Sequence, residues 1–180
     1  MNHEKTEFDV IEWINTFFDS TGSRIKEEDI KSVLHFALLW NMFESIGCNK
    51  SASIHTIQTF IENLFTQSRL NESDFARFLE YFQNRYITNG VTNTTFDSLK
   101  SSNEGTRERQ ARELAESVLK NKTTDVKDKV LALFYIVYRL RNNLFHGVKN
   151  VATLKSQIDN FNVANETLAT VLDLTKPNYS

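Results

Sequence analysis

VLALFYIVYRLRNNLFHGVKN, residues 130–150, changes character part-way along. Its first nine positions, Val130 to Tyr138, are apolar or aromatic without a break; the remaining twelve gather two arginines, three asparagines, a histidine and a lysine. An α-helix advances about 100° per residue, so Leu133, Val137, Leu140, Leu144 and Val148 share an apolar face. On the same helix Arg139, Asn142, His146 and Lys149 fall on an adjoining polar stripe. Thr124 or Asp125 stands where a cap is expected, which predicts a helix over about 125–146.

The same periodicity recurs on both sides. Apolar residues at three- and four-residue intervals predict helices over about 7–19, 53–67, 73–86, 107–120 and 151–172. A longer one over about 27–46 has acidic residues in its first turn and Ile30, Val33, Leu34, Ala37, Leu38 and Phe43 facing inward. Residues 88–105, TNGVTNTTFDSLKSSNEG, are rich in Asn, Thr, Ser and Gly; they are expected to form a mobile connection anchored at most by Phe96 and Leu99. One proline and five glycines in 180 residues leave few helix breakers and few tight-turn residues. An all-α bundle of one domain, residues 1–180, is the expectation.

Composition narrows the function. A net charge of -2 gives no global pull on nucleic acid, so any such contact must come from a local patch. Cys48 is the only cysteine, which excludes an internal disulfide and Cys-based zinc sites and fits a reducing compartment. No apolar leader or membrane-length run is visible, so a cytoplasmic protein with no membrane partner is expected. His3, His35, His55 and His146 are scattered, without metal-ligand spacing, and there is no Gly-rich phosphate loop; neither metal nor cofactor is expected. His35, among apolar residues, reads as a core histidine and His55 as a surface one. Arg107, Arg109 and Arg112 are interleaved with Glu108, Glu113 and Glu116 and read as a solvated face. Trp13, Trp40 and the phenylalanines read as core.

The stretch after Tyr138 is the remaining candidate for chemistry. A histidine near a helix C-terminus is favoured in its charged form by the macrodipole and opposed by neighbouring arginines, so it can exchange protons near neutrality. Arginine supplies a permanent charged fork matched to phosphate oxygens and to the extra charge of a pentacoordinate transition state. Together they suggest metal-independent RNA cleavage, in which the 2′-hydroxyl attacks the adjacent phosphate and DNA is spared. Arg141 stands about 140° around an ideal helix from His146. That pair meets only if the helix turns near Gly147 or a partner chain completes the site.

Arg141-Asn142-Asn143-Leu144-Phe145-His146 resembles the Rx4-6H signature of the HEPN (higher eukaryotes and prokaryotes nucleotide-binding) superfamily, including the polar residue after the arginine. The likeness covers about Val130 to Leu172, and more loosely Glu27 to Ile46; the helices of residues 50–105 are additions to it. It implies a HEPN-like helical bundle with additional helices in the N-terminal half. It further implies a homodimer with a composite active site, acting on RNA as a metal-independent endoribonuclease in a toxin-antitoxin or phage-defence setting, with a possible antitoxin or defence partner. Arg141 and His146 would be catalytic and Asn142 supporting. Arg139, which satisfies the longer spacing, is the second candidate, with Lys149 and Asn143 as further RNA phosphate contacts. A catalytically silent HEPN module that binds RNA, a nucleotide or a protein is the alternative. Toxin members whose partner is a nucleotidyltransferase often carry a tyrosine two residues after the histidine; Val148 stands there, so control by modification of that tyrosine is not expected.

Overall fold

The computed structural model describes residues 8–17, 24–147 and 155–176, with 145–147 described through the backbone alone. The described chain is α1 (Val10–Phe17), α2 (Glu27–Gly47), α3 (Ile54–Thr66), α4 (Glu72–Tyr86), β1 (Ile87–Thr88), β2 (Val91–Thr92), α5 (Thr94–Asp97), α6 (Thr106–Leu119), α7 (Val126–Gly147) and α8 (Ile158–Asp173). The fold is all-α with one small hairpin. No helix among the described residues is long and apolar enough to cross a membrane.

α7 is the axis of the molecule. A helix apolar on every side can only be satisfied inside, and Ala132 through Val137 are all essentially inaccessible. α3, α4, α6 and α8 pack around it, and α2 lies along α8. Aromatic rings join these layers: Phe43 meets Phe134 at 4.9 Å and Phe36 meets Phe161 at 5.1 Å between centroids, while Trp40 lies 6.3 Å from Tyr138. One continuous core results.

Caps follow the local sequence. The side chains of Ser53, Asn71 and Asn93 accept from backbone N–H groups at the starts of α3, α4 and α5, and the Asp125 carboxylate does so for Asp128 at the start of α7. At α2 the Asp29 carboxylate reaches back to the Lys26 N–H at 2.9 Å.

Five expectations need correction. Residues 88–105 are not a loose connection: Asn89-Gly90, both at positive φ, turn a hairpin that pairs Ile87 with Thr92 and Thr88 with Val91. Asn93 donates to the Arg85 carbonyl and caps α5, and Phe96 and Leu99 are both buried. α2 is turned differently from the expectation, burying Phe36, Trp40 and Phe43 while Leu34 and Leu38 face out. It is apolar nearly all round, so its period could not choose the face, and the large rings went to the core. That rotation also exposes His35, which is no core histidine, whereas Trp40 is core as expected. Trp13, Phe17, Phe8 and Phe65 are exposed rather than core. Arg112, finally, leaves the solvated face: its Nε sits 3.1 Å from both carboxylate oxygens of the nearly covered Glu104.

Candidate functional site

α7 continues as helix through Gly147, so nothing up to His146 breaks the geometric relation between the motif positions. Position 146 comes seven residues after 139 and falls on nearly the same side of the helix; it comes five after 141 and falls about 140° away. The His146 side chain, Lys149 and Val148 lie outside the described residues, as does the expected helix start at Val151.

The two arginines go to different neighbours. Arg139 is buried at 6% exposure, and its Nε donates to the Leu99 carbonyl just beyond α5. Asn143, one turn on, reaches the same segment, with Nδ2 3.5 Å from the Ser98 carbonyl. Beneath Arg139 lies Tyr135, whose phenol is buried and makes no hydrogen bond to the described residues. Burial pushes its pKa up, and the nearby Arg139 charge only partly offsets that. A cation in such a position ties α7 to the hairpin-α5 segment.

Arg141 faces α2 instead and is half-buried. Its Nη1 donates to Asn142 Oδ1 at 3.2 Å, and its Nη2 stands 3.9 Å from Glu44 Oε1. The same Glu44 oxygen accepts from the Ala52 N–H at 3.2 Å. The Arg141 side chain keeps 31% of its surface in solvent. That exposed part leaves a phosphate a way to approach the fork. Asn142 is half-buried and orients the guanidinium from its own helix.

Of the expected site residues, the structure brings Arg141 and Asn142 together, and it places Arg139 and Asn143 on the side facing α5. Glu44 was missed by the sequence reading. Its signal was there: it is the only Asp, Glu, Lys or Arg between Ser32 and Ile46, where an isolated charge needs a partner. The Leu99 and Ser98 carbonyls are backbone groups and carry no such signal. Comparison with known proteins adds nothing to this geometry, as no family model, curated protein or solved structure matches the chain.

Proposed function

We propose that the protein is a HEPN-type endoribonuclease that cleaves RNA without a metal, with Arg141 and His146 as catalytic residues and Asn142 in support. The observation that carries this reading is the place of Arg141: a side chain that keeps 31% of its surface in solvent, bonded to Asn142 and standing 3.9 Å from Glu44, five residues before a histidine at the end of the central helix. In the proposed reaction a base removes the 2′-hydroxyl proton and the oxygen attacks phosphorus. The 5′-oxygen bond breaks and that oxygen takes a proton, leaving a 2′,3′-cyclic phosphate and a 5′-hydroxyl. Arg141 balances the charge that builds on the phosphoryl oxygens, and His146 moves the proton. Because positions 141 and 146 diverge around an unbroken helix, the arginine of one chain works with the histidine of a second in a homodimer. A toxin-antitoxin or phage-defence role, with an antitoxin or defence partner, goes with that activity.

One observation favours the second reading, a silent HEPN module that binds RNA, a nucleotide or a protein partner. Glu44 beside Arg141 occupies part of the fork a phosphate would need. Cleavage and binding of single-stranded RNA in EDTA by wild type, Arg141→Ala and His146→Ala separate the two. An enzyme loses cleavage in both variants; a silent module shows none in any of the three, and only Arg141→Ala weakens binding.

A further inference from the structure

Asn89-Gly90 is the one Asn-Gly pair in the chain, and it forms the tip of the hairpin between β1 and β2. With φ at 52° and 78°, the two residues make the turn that closes Thr88 on Val91. Both are exposed. In a two-residue turn the flanking pair carries the ladder bonds, so the Gly90 N–H is left over. Among the described residues, neither that N–H nor the Asn89 carboxamide has a hydrogen-bond partner. Asn93, four residues on, is held at both ends of its amide: Oδ1 accepts from the Thr95 and Phe96 N–H groups, and Nδ2 donates to the Arg85 carbonyl.

We infer that Asn89 is a modification site of the folded protein: the Gly90 backbone nitrogen displaces its side-chain amide, and the product loosens the segment that holds Arg139. The Gly90 nitrogen bonds to Asn89 Cγ and closes a five-membered succinimide. The Cγ–Nδ2 bond breaks, and ammonia leaves with the proton that Gly90 carried. Water then adds to one of the two imide carbonyls and opens the ring. Opening at Cγ leaves an ordinary aspartate; opening at the main-chain carbonyl leaves isoaspartate, with the chain running through Cγ. Three features of the tip favour the attack. Glycine has no Cβ to obstruct its own nitrogen. Nucleophile and amide are both in solvent with no competing bond. Only two residue pairs hold the hairpin, and so small a hairpin is marginal by itself, so the tip can turn Asn89 towards its neighbour while the core stays folded.

The structural consequence follows from the extra main-chain carbon. A two-residue turn cannot absorb it, so Ile87–Thr92 and Thr88–Val91 lose their register. Asn93, which caps α5, follows the strand, and α5 leads to Leu99, whose carbonyl accepts from Arg139. None of this depends on the RNA chemistry. Native protein held for weeks at mildly alkaline pH should gain one mass unit in the peptide that contains Asn89, split into two isomers, one of them a substrate for an isoaspartyl methyltransferase, while Asn93 stays intact. A synthetic peptide of residues 84–95 sets the unconstrained rate, and the native rate should lie within tenfold of it. Gly90→Ala should slow the change at least tenfold. Because that variant also strains the turn, Asn89→Gln, whose longer amide must close a six-membered ring, should show the same loss. The modified fraction, separated by its added negative charge, should exchange amide hydrogens at least tenfold faster over residues 87–99 and no faster in α3. An intact Asn89 amide in native protein after the peptide has converted overturns the inference. So does a rate that both variants leave unchanged, or a modified protein whose 87–99 segment keeps its protection.

Discussion

Arg139 and Arg141 are two positions apart, a turn of about 200° that puts the two guanidinium groups on different sides of α7. Arg139 is inside, bonded to a backbone carbonyl. Removing it strands that carbonyl, so Arg139→Ala should lower stability by about 1–3 kcal/mol, seen as a lower urea midpoint, and any activity lost should track the unfolded fraction. Arg141→Ala should abolish RNA cleavage while the protein still folds, as circular dichroism would show. Arg141→Lys should restore little, because a point charge does not reproduce a two-pronged fork. Activity that survives Arg141→Ala but vanishes in folded Arg139→Ala would move the catalytic role to the longer spacing. The sequence placed both arginines on one helix near the histidine. It could not tell which was buried, because that depends on α5 arriving from forty residues earlier to meet Arg139.

Elements show the same division between local and long-range information. Helices whose apolar stripe is narrow, such as α3 with Ile54, Ile57, Ile61 and Leu64 buried, were legible from spacing alone. α2 was legible as a helix but not in rotation, since its period named no unique face. The 87–99 segment was illegible by composition, although Asn89-Gly90 is itself a hairpin signal. Phe96→Ala should therefore cost about 3–5 kcal/mol, as for a core ring, rather than nothing, as for a mobile linker. Gly90→Ala should cost about 1 kcal/mol by thermal melting, because at φ 78 an added Cβ meets no neighbour and only backbone strain remains. At the start of α2, the Lys26 N–H and then Lys155 hold the Asp29 carboxyl below its usual range. A depressed folded pKa gives stability that is present above the unfolded value, near about 4, and lost as pH falls through the folded one. Wild type should exceed Asp29→Asn in stability at pH 7, and the gap should close in acid; a gap constant from pH 7 to 2 would refute the link.

At the scale of the whole molecule, one core built around α7 accounts for why so little of the chain is left for chemistry. Cys48 illustrates it: buried beside α2, its thiol is pushed up to about 11, chiefly by desolvation. It should react with a thiol reagent at pH 8 only on unfolding, and ready labelling of the native protein would mean the α2-α3 corner opens. The polar end of α7 is where the fold leaves an arginine partly in solvent, close to a histidine in sequence. The closeness of arginine and histidine was readable from residues 130–150; the solvent share of Arg141, its Glu44 pairing and the outward ridge of α2 were not, because they depend on how α2 is rotated against α7 and α8. The most direct test is end-labelled single-stranded RNA incubated in EDTA with wild type and with His146→Ala. Wild type should release fragments ending in a 2′,3′-cyclic phosphate or its 3′-phosphate product, leave the matching DNA intact, and lose all cleavage in the variant. Intact RNA with wild type, cleavage that returns only with a divalent ion, or full activity in folded His146→Ala would contradict the proposal.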